Sequence, residues 1–130
     1  LVGSGTLENG ESETAIVPNR NMVFLSIAAA HAMQTGAKIV VWSAIKDDSK
    51  IFKDCRPEFL ENMNRTLKPM GVEIYAPIIE WTKKKLVKKA IEKGIDFSNS
   101  WSCYRGKNKP CQKCGACLLR EEAINEAYRV

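Results

Sequence analysis

Apolar residues run almost unbroken from Met22 to Met33, with Ala28, Ala29, Ala30 and Ala32 in the middle of the run. A segment of this length that is apolar on every side predicts a buried helix, and its alanines let neighbouring elements come close. Pro18 and Asn19 mark its start, with Asn19 as N-cap, and Gly36 is placed to end it. His31, flanked by alanines in this helix, reads as a packed residue rather than a ligand or base. A β-branched run from Lys38 to Ile45 (KIVVWSAI) predicts a buried strand, and Val72 to Ile79 (VEIYAPII) predicts a second strand. Between them lies a polar loop from Lys46 to Arg56. Pro57 then opens a helix in which Phe59, Leu60, Met63 and Leu67 recur at helical spacing, up to about Lys68. Thr82 caps a third helix with the stripe Leu86, Val87, Ala90 and Ile91 and with Gly94 beyond its end. A last helix starts near Gly115 and carries Leu118, Leu119, Ala123, Ile124 and Ala127. Residues 1–17 read as a strand end followed by a surface loop.

The alternation of helix and strand predicts an α/β domain with a parallel sheet and right-handed crossovers. Two strands make a poor sheet, because three or more are needed to cover the apolar helices. The expectation is therefore a C-terminal part of something longer, or a piece completed by a partner chain. Residues 1–95 form the α/β part in this reading, and 96–130 form a separate loop with its terminal helix. The 130 residues, 45% of them hydrophobic, suit one ordinary globular domain. No stretch approaches the ~20 apolar residues of a membrane helix, and the start lacks a secretory apolar core. The net charge of +5 permits an anionic partner without demanding one.

Four of the five cysteines change this picture. Cys103, Cys111, Cys114 and Cys117 follow the spacing C-x7-C-x2-C-x2-C in a stretch rich in Ser, Asn, Gly and Lys. Short x2 turns let consecutive thiolates converge on one ion, and four sulfurs at ~2.3 Å close a tetrahedral zinc shell with no open position. Such a site is structural, replacing core where apolar residues are few. An iron–sulfur cluster is the competing reading, weakened by the absence of C-x3-C-P, and free thiols are the third. Cys55, far from the others, reads as a small buried apolar side chain.

Two polar segments are candidate binding elements. The loop after the first strand holds Asp47, Asp48, Asp54 and Arg56, and ligands of α/β folds bind outside the carboxyl ends of strands. The alternative is a solvated loop whose Asp residues form turns. Asn19, Arg20 and Asn21 lie at a helix N-terminus, where free N–H groups favour anions, though a plain capping turn explains them as well. Lys83, Lys84, Lys85, Lys88, Lys89 and Lys93 form the polar face of an amphipathic helix, read as solvated, with an RNA-binding stripe as the other reading. No Walker A, G-x-G-x-x-G or G-x-S-x-G pattern is present.

Three ordered blocks then resemble one family. VPNRNMVFLSIAA resembles V-P-G-R-N-x-x-F-L-S-x-A-A, and DCRPEFLENMN resembles a D-C-R-P-E-F block. WSCYRGKNKPCQKCGACLLREEA is similar to a W-S-C-Y-x-G-x-x-x-P-C-G-x-C-x-S-C-x-x-R-x-x-A zinc block. These are segments of the 7-cyano-7-deazaguanine synthases, the QueC family of queuosine precursor biosynthesis, and the resemblance extends from Ala15 to Ala127. It implies a three-layer α/β fold of the PP-loop or HUP type, like the adenine nucleotide alpha hydrolases, with a parallel sheet and a small zinc loop. It implies a cytoplasmic, ATP-dependent ligase that turns 7-carboxy-7-deazaguanine and ammonia into the nitrile preQ0. ATP with Mg2+ would be co-substrate, Zn2+ would be structural, and a homodimer is expected, with neither nucleic acid nor membrane as partner.

By the same resemblance, Cys103, Cys111, Cys114 and Cys117 match the zinc ligands. Asn19, Arg20 and Asn21 match the segment at the nucleotide and substrate cleft. Asp48, Asp54, Cys55, Arg56, Glu58 and Phe59 match the polar loop beside it. Arg20 would meet phosphate or carboxylate charge, and Asp48 or Asp54 would meet heterocycle N–H groups or a Mg2+ shell. The family's S-G-G-x-D-S phosphate loop has no counterpart here and would lie upstream of Leu1, so this piece alone is expected to be inactive. The Gly after the first strand is replaced around Trp42-Ser43-Ala44, Lys53 replaces a Pro, and P-C-G becomes Pro110-Cys111-Gln112. Two other functions fit a basic chain with four clustered cysteines. One is a zinc-stabilised nucleic-acid-binding module. The other is a tRNA-modifying PP-loop enzyme, such as a thiolation enzyme, for which Cys55 would have to be reactive.

Overall fold

The computed structural model describes residues 17–129, so the reading of residues 1–16 lies outside it. Two compact units are present, one of Pro18–Thr82 and one that begins at Lys83. The first contains α1 (Arg20–Thr35), β1 (Ile39–Val41), α2 (Pro57–Leu67) and β2 (Glu73–Tyr75). The second contains α3 (Lys83–Glu92) and α4 (Gly115–Tyr128), joined by the cysteine loop. The sequence division at 95/96 separates α3 from α4. In the structure these helices share a core of Val87, Ala123 and Ala127, so α3 belongs with the loop that follows it.

In the first unit β1 and β2 pair in parallel, with Ile39 opposite Glu73, Val40 opposite Ile74 and Val41 opposite Tyr75. Both strands are shorter than the apolar runs predict. Pro77 has no N–H to give to a ladder, and the chain turns there, with Trp81 N–H donating to the Ile78 carbonyl at 2.8 Å. Beyond Trp42 the first run has lost its partner, although Ala44 and Ile45 remain buried. The core gathers Leu25, Ala29 and Ala32 of α1, Leu67 of α2, and Val72 and Ile74, with Val40, Trp42, Phe59, Leu60 and Met63 packed against them. Trp42 meets Phe59 edge-to-face at 5.9 Å.

Two expectations of burial are corrected. β1 is not buried on both faces, since Ile39 and Val41 are 57% and 65% exposed. α1 buries only its Leu25, Ala29 and Ala32 stripe, while Phe24 and Ile27 remain 52% and 63% exposed. His31, expected to be packed, is also exposed. The physical reason is common to all three: among the described residues, the small sheet and its helices supply one apolar layer, and nothing covers the opposite surfaces. The parallel α/β arrangement is present, while the described residues hold a two-stranded sheet.

Candidate functional site: a four-cysteine centre and a clamped polar loop

The cysteine loop converges as its spacing predicts. The Sγ atoms of Cys103, Cys111, Cys114 and Cys117 all lie within 4.8 Å of one another. Cys114 and Cys117 are 3.5 Å apart, Cys111 and Cys117 4.0 Å, and Cys103 and Cys114 4.0 Å. Four sulfurs at ~2.3 Å from a tetrahedral ion are separated by about 3.8 Å, so the quartet fits Zn2+ with little adjustment. None of the four is disulfide-bonded.

Backbone N–H donation favours the thiolate form of two of these sulfurs, those of Cys103 and Cys114. Cys103 Sγ accepts N–H groups from Gly106 at 3.0 Å, Cys111 at 3.2 Å and Arg105 at 3.3 Å. These donors, with that of Cys111 contributing most, pull the Cys103 thiol down to about 6. Backbone N–H donation, led by Tyr104, also lowers Cys114, whereas burial pushes Cys117 up to about 12. The turn after Cys103 requires Gly106, because a Cβ there would run into the Lys109 carbonyl and approach Pro110 Cα to 3.1 Å.

The loop is fastened to its own unit by polar straps. Arg120 Nη2 on α4 donates to the Phe97 carbonyl at 2.7 Å and to Ser100 Oγ at 2.9 Å. Ser102 Oγ donates to the Ala116 carbonyl at 3.1 Å, and Trp101 Nε1 donates to the Cys103 carbonyl at 2.8 Å. The sequence reading singled out none of these three as functional. Their signal was present, since Trp101, Ser102 and Arg120 are letters of the zinc block itself.

In the other unit, the start of α1 and the loop after β1 meet. The Asn21 backbone N–H donates to Asp54 Oδ2 at 3.1 Å. Its side-chain amide donates to the Asp54 carbonyl and to Cys55 Sγ, each at 3.3 Å. Asn19 occupies the N-cap position but makes no side-chain capping bond. The carboxylate that caps this helix comes instead from Asp54, 33 residues away from Asn21. That exchange was invisible in sequence because local capping rules see only neighbours. Arg56 Nε donates to the Ser49 carbonyl at 3.1 Å and straps the loop to itself. Arg20 and Asp48 are half-buried, while Asn19 and Glu58 are exposed. Glu58 lies in the first turn of α2, where the helix dipole favours its charge. Cys55 is 8% exposed. Burial first, then the Asp54 and Asp48 carboxylates, push its thiol up to about 11 against the opposing pull of Asn21 and Arg20. It is therefore a neutral thiol at pH 7, the reverse of what a reactive cysteine needs.

A family model described as "Queuosine biosynthesis protein QueC" matches residues 2–128. The chain belongs to the QueC family. Among its curated relatives, 7-cyano-7-deazaguanine synthase 1 of Colwellia psychrerythraea is 41% identical over 96% of this chain and 59% of its own length. The 7-cyano-7-deazaguanine synthases of a Marinomonas species and of Methanoregula boonei are each 40% identical, over 96% and 97% of this chain. The chain thus spans just under three fifths of the length of these relatives.

Against the QueC pattern, two departures acquire a structural meaning. Asn19 stands where the V-P-G-R-N block has Gly, and Gln112 stands where the P-C-G segment has Gly. Both adopt positive φ, 56° at Asn19 and 59° at Gln112, and no other non-glycine residue among those described does so. Both positions are thus left-handed in this chain, a region that glycine enters without cost. Asn tolerates that region, whereas Gln is strained there by roughly 1 kcal/mol.

Proposed function

We propose that this chain is the C-terminal portion of an ATP-dependent 7-cyano-7-deazaguanine synthase acting in the cytoplasm, inactive without an upstream phosphate-binding segment. The substrates are 7-carboxy-7-deazaguanine, ammonia and ATP with Mg2+, and the product is the nitrile. The observation that supports this reading is the clamp of Asn21 on Asp54 and Cys55. It joins two QueC blocks far apart in sequence at the carboxyl end of β1, the place where α/β folds bind ligands.

A carboxylate resists ammonia because its leaving group would be oxide. Transfer of a phosphoryl or adenylyl group from ATP to the carboxylate oxygen makes that oxygen a leaving group. Ammonia then displaces it, losing a proton, and the amide forms. A second activation of the amide oxygen lets it depart as the remaining N–H protons are lost, leaving the C≡N bond. The protein's work is to hold these reactants in line and to neutralise developing phosphate charge. Arg20, at the N-terminus of α1, neutralises phosphate or carboxylate charge in this reading. Asp48 receives heterocycle N–H groups or belongs to the Mg2+ shell. Asp54, whose Oδ2 already accepts a backbone N–H, and Asn21 hold the segment that presents Arg20, and Arg56 holds the loop that presents Asp48. Zn2+ on Cys103, Cys111, Cys114 and Cys117 is structural, keeping the loop folded.

The test is ATP-dependent consumption of the carboxylate by a complete protein carrying this chain, with the product identified by mass. Arg20→Ala is expected to lower kcat/KM by roughly 100-fold or more. Turnover by the isolated chain, or a complete protein that leaves the carboxylate untouched, overturns the reading.

A further inference from the structure

In the second unit a cleft of about 360 Å³ opens between the cysteine loop and one face of α4. From the helix it is lined by Arg120 with Ile124 and Glu121 with Asn125, two i, i+4 pairs that share a surface. From the loop it is lined by Ser102, Pro110 and Gln112. Small-molecule sites occupy about 300–1,000 Å³, so a cleft of this size suits a small ligand.

Three observations say what such a ligand must carry. Arg120 fastens the loop with only part of its guanidinium. Its Nε and Nη2 donate to Ser100 Oγ at 3.2 and 2.9 Å, and Nη2 donates to the Phe97 carbonyl at 2.7 Å. Nη1 has no partner among the described residues, so a positioned cation keeps two donors to spare, suited to a carboxylate or phosphate oxygen. The side-chain amides of Gln112 and Asn125 also make no hydrogen bond among the described residues, and each can donate to a ligand oxygen. The charge pattern points the same way. From Phe97 to Arg120 the chain holds five cations, Arg105, Lys107, Lys109, Lys113 and Arg120, and no Asp or Glu. None of the five forms an ion pair among the described residues, and four thiolates around Zn2+ offset only two of their charges. Glu121, the one carboxylate among the lining residues, is exposed and can accept an N–H of the ligand.

We infer that this cleft binds a small organic oxyanion, a carboxylate or a phosphate ester. Arg120 Nη1, Gln112 and Asn125 hold its charged oxygens, and Pro110 and Ile124 receive its apolar part. The site belongs to the second unit alone, and none of these side chains enters the proposed reaction, so the inference stands apart from that reading.

NMR titration of the full zinc-loaded chain tests it, with benzoate and phenyl phosphate as probes and benzamide as the uncharged counterpart. Saturable shifts are expected at the Ser102, Gln112, Arg120 and Asn125 amides. Benzamide should bind at least about tenfold more weakly than benzoate, because it brings no charge to the guanidinium. Tighter binding of benzoate assigns a carboxylate ligand, and tighter binding of phenyl phosphate assigns a phosphate ester. Shifts that fail to saturate by about 10 mM probe, that spread over the α3 lysines, or that are equally strong with benzamide overturn the inference. Arg120→Lys should weaken benzoate binding at least about tenfold, although it also cuts the strap to Phe97 and Ser100. Asn125→Asp leaves that strap intact and places a second carboxylate at the cleft. It should weaken benzoate at least about fivefold while leaving benzamide within about twofold. Benzoate affinity unchanged by Asn125→Asp overturns the inference, even if Arg120→Lys fails to fold.

Discussion

Removal of the Asp54 carboxylate is the sharpest probe of how the polar loop is held. Asp54→Ala deletes an acceptor that meets the Asn21 N–H at 3.1 Å in the first turn of α1. The loss of a cap typically costs about 1 kcal/mol. The favourable interaction of a carboxylate with a helix N-terminus adds roughly 0.3–1 kcal/mol. Asn19 makes no compensating side-chain bond, and the contact is partly buried, so the freed N–H is only partly recovered by water. The total is about 1.5–2 kcal/mol for Asp54→Ala. Asp54→Asn keeps an acceptor and loses only the charge, so it should cost about half as much. Urea unfolding followed by circular dichroism, with exchange protection of the Val23 to Leu25 amides as a local readout, measures both. Asn21→Ala combined with Asp54→Ala should cost clearly less than the sum of the single changes, because the two groups share one interaction. An Asp54→Ala cost below about 0.5 kcal/mol, or strict additivity with Asn21→Ala, would refute the clamp.

Other consequences follow from the same contacts. Gln112→Gly relieves a left-handed residue and should stabilise the zinc-loaded loop by about 1 kcal/mol, read as slower zinc release to a chelator; faster release would count against the strain. Cys114→Ala, at a residue 2% exposed within the quartet, should abolish stoichiometric zinc and the protected amides of α4. Metal analysis that still finds one zinc per chain would contradict a four-thiolate site. Cys55 has a folded value of about 11 against 9.0 for a free thiol, so the unfolded chain ionises first. Its contribution to stability is therefore complete below pH 9 and is lost as pH rises from 9 to about 11. Because the thiol retains some access to solvent, the loss is about 1–2 kcal/mol. Cys55→Ala should flatten that part of the pH–stability curve, and an unchanged curve would mean the thiol is not desolvated.

The sequence by itself determined the things that depend on local spacing. Two x2 intervals between thiols are enough to converge Cys111, Cys114 and Cys117, because such short turns leave the sulfurs few other places to go. Helical periodicity placed α2 and α3, and Pro57 and Gly94 marked a beginning and an end, since φ restrictions act on single residues. The family blocks carried membership for the same reason, each being a contiguous string. Tertiary structure alone decided the rest. It chose Asp54, rather than Asn19, to cap α1, because a carboxylate 33 residues from Asn21 is brought within 3.1 Å only by the fold. It put Asn19 and Gln112 at positive φ, which no local rule had assigned to either. It left one face of β1 and most of α1 bare, which periodicity cannot reveal, since an apolar run looks the same whether its cover lies in this chain or elsewhere. And it set the Asn64 amide against the N–H and carbonyl of Ile74, a pairing made entirely by hydrogen bonds between residues ten apart.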